Sequence, residues 1–447
     1  MSAWDRVVIG AGIAGLLAAQ RAFQRGEKVL VLDGAARAGG ALAPLTIGGV
    51  TVDAGAESLS TASNSCARLI DDLGMSNLLV SPHRADARIV VSPDISYPIP
   101  HGVLGIPASL TDPELAGIIS AHGLEKAVRL DSAPLSDFSQ LSVAHVVERR
   151  LGPEFVEKLV DPVVAGVHGS SARSLSAQTI LPEVMIALQR TGSLCSAVFE
   201  VRSSPSRPGA AVAGIDGGLF QIAERLADQL ADAGATFRYG THVDSCEKSD
   251  RGWTSHTDAG HLNSRNVTLS ARTGFVAPLL SHLMGDSARA LSTRSVDVAL
   301  VFAVVDAAEL NRFPLGSGAL TTPLAGVRAK ATTHVNAKWS WVHNRLRQNR
   351  HIIRLSYGRD GDVPQGDLTE LARHDLHSLY GISAEHISQT RVVRWDQSLS
   401  QVASNTAADR ETFLARAEQS GLELCGSFVT GNGLSRIIDD HYRRTAQ

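Results

Sequence analysis

Three glycines close to the start of the sequence have the spacing used for nucleotide binding. Gly10, Gly12 and Gly15 follow an apolar run, and a second apolar run ends on Asp33, roughly twenty residues after the glycines. Gly10 permits a tight turn, Gly12 lets the backbone approach a pyrophosphate, and Gly15 lets the following helix pack against the strand. Amides at the start of that helix would point at phosphate oxygens, and Asp33 would hold ribose hydroxyls. The residues predict a dinucleotide-binding strand–helix–strand unit.

The surroundings of the glycines decide between this interpretation and an ordinary glycine-rich turn. A strand is predicted before them, and apolar residues at helical spacing run from Ile13 to Arg25, where Gly26 ends the helix. A glycine pattern is weak by itself, but a strand before it and a helix after it are what the nucleotide site requires. We therefore expect the nucleotide unit, with the plain turn as the alternative.

Composition and charge limit the class of protein. The 447 residues give room for two or three packed modules, and 44% hydrophobic content supplies a core for each. The net charge of −3, without a lysine or arginine cluster, does not favour nucleic acid as a partner. Scattered cysteines, none in a Cys-x-x-Cys pair, favour reduced thiols in the cytoplasm. We expect no signal peptide and no membrane span, while peripheral membrane attachment stays open.

The periodicity of apolar residues changes along the chain, which indicates several structural units. Residues 45–58 predict a hairpin broken by glycines. A mostly helical insertion is predicted between 94 and 196, because three stretches there have helical spacing, Thr111–His122, Ser142–Arg150 and Ala177–Arg190. A loop rich in serine, proline and arginine, 203–209, is the predicted linker.

The second half of the chain combines strands with a few helices. An amphipathic helix is predicted from Leu219 to Gly234, and β-rich runs between 296 and 357 predict a separate mixed sheet. The final segments are a strand at Leu422–Cys425, a glycine loop and a helix at Leu434–Arg444. Because strand, glycine and helix signals return here, we expect one nucleotide domain assembled from separated pieces.

A series of short motifs runs through nearly the whole chain in a fixed order. The motifs are Gly10–Gly15, Arg37–Gly40, Val52–Ser58, Tyr97–Gly102, Asp161–Gly169, Ile215–Leu219, Lys330–Thr332, Lys338–Trp339, Arg354–Arg359, Val393–Trp395 and Gly431–Leu434. This ordered set resembles the protoporphyrinogen/coproporphyrinogen III oxidase family, FAD-dependent flavoproteins of the amine-oxidase-like superfamily. Within that family the chain is most similar to the bacterial coproporphyrinogen III oxidase branch.

The resemblance implies a fold class and a division into domains. The implied fold is α/β, with an interrupted Rossmann-type FAD domain, a mixed-sheet substrate domain and a mostly helical inserted domain. The FAD domain would comprise residues 1–62, 216–273 and 391–447. The substrate domain would comprise 63–93, 197–215 and 274–390, and the helical domain 94–196.

The resemblance also implies which residues hold FAD. Arg37 stands where a cation can meet the pyrophosphate, and Gly55–Glu57 match the stretch that lies along the isoalloxazine ring. Val243 matches a position whose backbone contacts adenine. The full expected set is Gly10, Gly12, Ile13, Ala14, Gly15, Asp33, Gly34, Arg37, Gly39, Gly40, Gly55, Ala56, Glu57, Ser58, Val243, Trp395, Gly431, Gly433 and Leu434. The alternatives are a solvated arginine, a plain hairpin end, a core valine and an ordinary helix start.

The reaction implied by the resemblance is oxidation of coproporphyrinogen III to coproporphyrin III in heme biosynthesis. Flavin N5 would accept the hydride, so no catalytic side chain is expected, and dioxygen would be reduced to hydrogen peroxide. Arg173, Lys338 and Arg354 are candidate anchors for substrate carboxylates, with a surface charge as the alternative for each. No metal is expected, because His374 and His377 have no third ligand in register.

The same resemblance describes the setting in which the protein would act. A cytoplasmic location is expected, with peripheral contact to the inner face of the membrane left open. Hand-off of the porphyrin to a ferrochelatase is also left open, and the sequence does not define the oligomeric state.

Several positions depart from the family pattern. Ala62, Ser63 and Asn64 stand where relatives often carry basic residues. Asn432 replaces a small apolar residue, and the stretch 399–402 replaces a Leu-Pro-Gln-Tyr motif. These changes keep three other functions open: a protoporphyrinogen IX oxidase, a flavin amine oxidase, and a divergent protein that binds flavin or porphyrin without catalysis.

Overall fold

The structure is a computed structural model that describes residues 4–61, 63–84, 86–134, 138, 141–201, 212–285, 293–402 and 407–446. The predicted linker, 203–209, and Ala62 lie outside the described residues. The predicted α/β class is confirmed, because two large sheets are combined with helices that cover them.

The strands are numbered along the chain. They are β1 (Trp4–Ile9), β2 (Val29–Asp33), β3 (Pro44–Ile47), β4 (Val50–Asp53), β5 (Leu59–Ser60), β6 (Leu79–Val80), β7 (Arg88–Ser92), β8 (Ile95–Pro98), β9 (Gly102–Val103), β10 (Ile106–Pro107), β11 (Val212–Ile215), β12 (Thr236–Tyr239), β13 (Val243–Ser249), β14 (Gly252–Thr257), β15 (Gly260–Leu269), β16 (Thr293–Asp306), β17 (Gly318–Thr321), β18 (Ala331–His334), β19 (Arg350–Tyr357), β20 (Ile387–Val402) and β21 (Leu422–Leu424).

The helices are numbered in the same way. They are α1 (Ile13–Gln24), α2 (Asn64–Asp72), α3 (Ala121–Asp131), α4 (Val143–Arg150), α5 (Pro153–Phe155), α6 (Asp161–His168), α7 (Ala177–Ile180), α8 (Pro182–Thr191), α9 (Leu194–Val201), α10 (Gln221–Asp232), α11 (Thr273–Met284), α12 (Val335–Lys338), α13 (Ser340–Arg345), α14 (Leu368–Tyr380), α15 (Ala407–Gln419), α16 (Ser427–Thr430) and α17 (Leu434–Thr445). Short 3-10 turns lie at Ser76–Leu78, Pro113–Gly117, Ala308–Arg312, Pro323–Ala325 and Ala384–His386, and a π turn, Val156–Val160, joins α5 to α6.

The first large sheet holds the predicted nucleotide unit. Its strand order is β12, β2, β1, β15, β14, β13, with β21 paired to the end of β15. The strands β12, β2, β1, β15 and β21 are parallel, and β1 and β2 are almost wholly apolar because helices cover both faces. Val8 and Val31 pack in the core with α1 and α10, whereas Val7 and Leu30 pack in the core with α11 and α15. Distant parts of the chain therefore build one sheet, as predicted.

A buried ion-pair cluster fastens the last strand of this sheet to its first strand and helix. Glu423 on β21 lies 3.2 Å from Arg6 Nη1 on β1 and 2.5 Å from Arg21 Nη2 on α1. The two arginines lower the pKa of Glu423 although burial opposes them. The cluster joins residues that lie 417 positions apart in the sequence.

The second large sheet has the strand order β20, β16, β19, β18, β17, β7, β8. The long strand β16 is antiparallel to both β19 and β20. One face of the sheet packs on α14 through Leu355 and Leu376, and the other packs on the β3–β4 hairpin through Phe302 and Val52. The hairpin therefore brings the residues that follow it, 54–57, next to β18, β19 and β20.

The predicted helical insertion has a hydrophobic core of its own, although the short strands β8 to β10 precede its helices. Helices α4, α7 and α8 correspond to two of the three predicted helical stretches. The third, Thr111–His122, holds a 3-10 turn at Pro113–Gly117 and the first residues of α3, and Ala177–Arg190 is likewise divided between α7 and α8. The break lies at Ser120, whose backbone N–H and hydroxyl both donate to Glu154 at 3.0 and 2.8 Å.

The pairing of the strands bears on the proposed domain boundaries, which remain proposals. The whole of β20 pairs with β16 in the second sheet, so a boundary at 391 falls inside a strand. A boundary after Val402 fits this pairing better. In the described part of the chain, no helix combines the length and the apolar character needed to cross a membrane.

Candidate functional site

The predicted glycine turn joins β1 to α1. Gly10 has a φ of 102°, and its amide donates to Leu32 O at 2.8 Å. Gly12 is the residue before α1, and no side chain caps that helix or places an acid in its first turn. The amides of Ile13 and Ala14 therefore open a helix whose positive end has no anionic side chain against it, which is what a phosphate requires.

The glycines differ in why they must be glycine. A Cβ on Gly15 would lie 1.9 Å from Gly10 O, and a Cβ on Gly10 would lie 2.3 Å from Ser270 O. These two positions are glycine because the protein packs against them. Gly12 has a φ of −68°, and the atom closest to its Cβ position is Gly40 Cα at 3.9 Å. Since the chain itself leaves room there, the space beside Gly12 fits the backbone approach of a pyrophosphate.

A second glycine loop lies against the first. Gly39 donates to Ala11 O at 2.9 Å, and a Cβ on Gly39 would lie 2.2 Å from Leu42 O. Arg37 Nη1 donates to the carbonyls of Ala38 and Leu42, at 2.7 and 3.3 Å. Arg37 thus holds the loop in shape. It acts electrostatically on Glu224, but in the described part of the chain no carboxylate lies within ion-pair distance of its guanidinium. The placement fits the pyrophosphate role predicted for Arg37.

Asp33 lies at the carboxyl end of β2. Its two carboxylate oxygens accept the amides of Ala11 and Ala35, at 2.7 and 2.8 Å. Each oxygen keeps a further lone pair, so the carboxylate can still accept a ribose hydroxyl. Asp33 therefore also ties the glycine turn to β2.

The segment after β12 lies beside the same end of β2. Thr241 donates its amide to Asp33 O at 3.0 Å, and β13 begins two residues later at Val243. Gly34 faces the ring of His242, because a Cβ there would lie 2.7 Å from the ring. Val243 is thereby close to the predicted ribose end of the site, and contact of its backbone with adenine stays a prediction.

Residues 54–57 are held by side chains of the second sheet. Trp395 Nε1 donates to Ala54 O at 3.0 Å, and Arg354 Nη1 donates to Gly55 O at 3.2 Å. A Cβ on Gly55 would lie 2.2 Å from Ala41 O. Ala41 follows Gly40, which lies against Gly12, so the glycine turn and this segment form one continuous surface. Ala56 is exposed on it, and Ser58 is half-buried just before β5.

Glu57 carries the strongest electrostatic interaction of this surface. Lys338 Nζ lies 2.8 Å and Arg354 Nη2 lies 3.0 Å from Glu57 Oε1, and the three side chains are 17%, 15% and 11% exposed. The two cations lower the pKa of Glu57 to about 2 against the opposing effect of burial. Glu57 is therefore ionised and fixed in place.

The three predicted substrate anchors are all engaged in ion pairs. Lys338 and Arg354 both bind Glu57, so they lie at the predicted flavin surface and carry one net positive charge together with it. Arg173 pairs with Glu148 in the helical insertion and is half-exposed. Their role as carboxylate anchors stays a prediction.

Asp53 is a buried acid that the sequence reasoning did not single out. Its carboxylate accepts the amides of Leu219 and Phe220, both at 2.9 Å, at the turn before α10. Burial raises the pKa of Asp53 to about 7 although the two amides oppose it. The signal that could have found it is an acid at a hairpin end combined with the Gly217–Gly218 turn, whose following amides need an acceptor.

The start of α17 completes the site. Gly431 and Gly433 have φ values of 81° and 115°, and α17 begins at Leu434 without a side-chain cap. Asn432 between them exchanges two hydrogen bonds of 2.9 Å with the backbone of Ser400 on β20. The polar residue that departs from the family pattern thus fixes this loop to the second sheet. Helix α17 packs on α1, so the two helix starts belong to the same region.

The donor set fits FAD. Three features match a dinucleotide: two uncapped helix starts, a turn with unfilled space at Gly12 and an acid at the end of β2. In the described residues no group of three or more His, Cys, Asp or Glu could hold a metal ion. The fold and this site define an α/β flavoprotein of the interrupted Rossmann type.

Comparison with known proteins assigns the family. The model of the flavin containing amine oxidoreductases matches residues 13–443, and the chain belongs to this family. It is therefore an FAD-dependent oxidoreductase, which confirms the predicted cofactor and enzyme class.

Individual relatives confirm the resemblance found in the sequence. Coproporphyrinogen III oxidase of Mycobacterium tuberculosis is 28% identical over 448 residues, covering 96% of this chain and 94% of the relative. The Bacillus subtilis protein of the same name is 25% identical, with 97% and 95% covered. A solved structure, "Putative protoporphyrinogen oxidase" from Exiguobacterium sp. 255-15, has a TM-score of 0.86 at 22% identity, covering 100% of this chain and 98% of that one.

Proposed function

We propose that this chain oxidises coproporphyrinogen III to coproporphyrin III, with dioxygen as acceptor and hydrogen peroxide as by-product, in heme biosynthesis. The observation that carries the proposal is similarity over almost the full length to proteins named coproporphyrinogen III oxidase. The chemistry supplied by bound FAD is hydride acceptance from a saturated meso carbon, repeated three times per macrocycle, with one dioxygen consumed each time.

The residues of the chain bind and orient the reactants in this proposal. The uncapped start of α1 and the loop held by Arg37 would bind the pyrophosphate, and Asp33 would accept ribose hydroxyls. Glu57, Lys338 and Arg354 would fix the segment that lies along the isoalloxazine. No side chain is needed as a general acid or base, because the pyrrole N–H proton released after hydride loss can pass to water.

The decisive experiment compares substrates on the same flavin. The FAD-loaded protein is mixed anaerobically with coproporphyrinogen III, protoporphyrinogen IX or putrescine, and bleaching of the flavin absorbance is followed. Reduction is expected to be fastest with coproporphyrinogen III, and admission of air should give coproporphyrin fluorescence and peroxide. Protein stripped of FAD is the control for spontaneous oxidation.

Three outcomes would contradict the proposal. Faster reduction by protoporphyrinogen IX would identify the other porphyrinogen as substrate. Reduction by putrescine alone would identify an amine oxidase. A flavin that none of them reduces would identify a binding protein without catalysis.

The setting of the reaction belongs to the same proposal. We place the protein in the cytoplasm, in peripheral contact with the membrane, where it would pass its product to a ferrochelatase. Cell fractionation, and pull-down with that enzyme in the presence and absence of coproporphyrin III, would test both statements.

A further inference from the structure

Three cations without carboxylate partners surround the end of α6. Lys330 is 3% exposed, and its ammonium donates to one acceptor, Gly358 O, at 3.1 Å. Arg359 donates through Nη2 to Thr321, while its buried Nη1 has no hydrogen-bond partner. Within the described ranges, no acid lies within ion-pair distance of Lys330, Arg359 or Arg436.

The cations are neighbours of one turn, His168–Gly169. A Cβ on Gly169 would lie 3.5 Å from Lys330 Nζ. Burial, together with electrostatic repulsion from Arg359, lowers the pKa of Lys330 to about 8, although Asp360 opposes this shift. Arg436 acts in the same way on His168. The end of α6, within the helical insertion, therefore meets positive charge from the residue before β18, from the segment after β19 and from α17.

The acids closest to this turn are already engaged. Asp161 accepts the Ser171 hydroxyl and the Ala172 amide, both at 2.8 Å, and Asp360 accepts the Ser171 amide. Both acids act electrostatically on Arg359, and Asp360 also acts on Lys330, but neither acid lies within ion-pair distance of these cations. A buried cation without a counter-ion is costly in a folded protein, and two adjacent ones repel each other. An anion bound between the cations would reduce this repulsion.

The location connects the cations with the flavin site. Arg436 Nη1 lies 3.2 Å from the Cβ position of Gly431, one of the residues that open toward α17. On the other side, a Cβ on Gly169 would meet Leu399, the residue before Ser400, which Asn432 holds. An unbroken series of contacts thus leads from the start of α17 to Lys330.

We propose that Lys330, Arg359 and Arg436, gathered around the end of α6, bind a carboxylate group of the substrate. The inference rests on the proposed function and adds which residues would receive one acidic side arm of the tetrapyrrole. The three cations differ from Arg173, which pairs with Glu148, and from Lys338 and Arg354, which share the carboxylate of Glu57. Charge-assisted hydrogen bonds from lysine and arginine are the usual means of recognising such groups.

Binding of the stable product tests the proposal directly. Coproporphyrin III and its tetramethyl ester share one ring, but only the acid carries negative charge. Lys330→Met and Arg436→Met should each weaken binding of the acid by about tenfold or more, as expected for a lost charged hydrogen bond, and leave ester binding unchanged. The matched controls are Lys248→Met and Arg251→Met, which remove exposed cations near the β13–β14 turn. Equal loss for acid and ester, or no loss, would overturn the proposal.

A second measurement does not depend on a porphyrin. Sulfate should raise the melting temperature of the FAD-loaded wild type and of Lys248→Met more than that of Lys330→Met. In the absence of sulfate, Lys330→Met should melt at or above the wild-type temperature, because an uncompensated charge is removed. A lower melting temperature with an undiminished response to sulfate would mean that Lys330 is only structural. Failure of the wild type to oxidise coproporphyrinogen III would instead refute the proposed function. The effect of sulfate on the melting temperature would then still test whether the cations bind an anion.

Discussion

The pair of cations on Glu57 gives the sharpest quantitative prediction. Glu57→Gln keeps the shape of the side chain and removes its charge, so Lys338 and Arg354 remain largely buried next to each other without a counter-ion. The variant should be markedly less stable than the wild type at neutral pH. It should also bind FAD more weakly, because Gly55 and Ala56 lose the clamp that fixes them.

The size of the effect follows from the pKa of the carboxyl group. Lowering of the pKa of Glu57 from 4.5 to about 2 corresponds to about 3 kcal/mol of stabilisation. This agrees with the roughly 3–5 kcal/mol lost when one partner of a buried ion pair is removed. Because the folded-state pKa is lowered, the stabilisation is complete above pH 4.5 and is lost as the pH falls toward about 2.

Urea unfolding with saturating FAD, followed by tryptophan and flavin fluorescence, measures the difference. Glu418→Gln, which neutralises an exposed acid on α15, is the control and should match the wild type. The double variant Glu57→Gln/Lys338→Met should recover part of the loss, because one of the uncompensated cations is removed. A stability of Glu57→Gln within about 0.5 kcal/mol of wild type, or strictly additive effects in the double variant, would refute the reasoning.

Three further predictions concern the glycine turn, the helical insertion and a buried histidine pair. Gly12→Ala should leave the stability of the FAD-free protein unchanged and weaken FAD binding, whereas Gly15→Ala should destabilise the protein itself, as measured by calorimetry and flavin titration. Asp131→Asn should lower the free energy of unfolding by roughly 3–5 kcal/mol and speed hydrogen exchange at the start of α9. This buried acid accepts two amides of α9 and forms an ion pair with Arg150. Burial lowers the pKa of His334 to about 3 and of His351 to about 4, so both are neutral in the folded protein. Stability should therefore fall below pH 6.5, by up to about 1.4 kcal/mol per pH unit for each, in urea midpoints measured between about pH 7 and about pH 5.

Each of these has an outcome that contradicts it. Equal destabilisation by Gly12→Ala and Gly15→Ala would show that both glycines serve the protein's own packing. Unchanged exchange at α9 in Asp131→Asn would mean that the carboxylate is not what fixes that helix. A double variant His334→Gln/His351→Gln whose pH slope equals that of the wild type would assign the acid sensitivity to other groups.

The parts of the site that depend on neighbours in sequence were predictable. The glycine turn, the helix after it and the acid at the end of β2 follow from spacing alone, and the structure has them at the expected residues. The return of strand and helix signals at Leu422 and Leu434 likewise predicted a sheet built from distant segments. In each case the local chemistry demands one conformation, so the sequence carries the information.

The parts that depend on distant side chains were not predictable. Lys338 and Glu57 are 281 residues apart, and nothing in either motif indicates that they neutralise each other. From the sequence, Lys338 and Arg354 therefore look like free cations. Lys330 and Arg359, which have no ion pair in the structure, cannot be distinguished from other basic residues in the sequence. The break at Ser120 escaped prediction for the same reason, because the carboxylate that fixes it lies 34 residues away.

The fastening of β21 to β1 has a consequence for how flavin binding depends on folding. The ion pairs at Glu423 and the start of α17 form only once the residues from β21 onward are present, so a shorter folding segment offers half of the cleft. Tight binding of flavin therefore requires β21 and α17 together with β1 and α1. Bound flavin should in turn hold these distant segments together against unfolding.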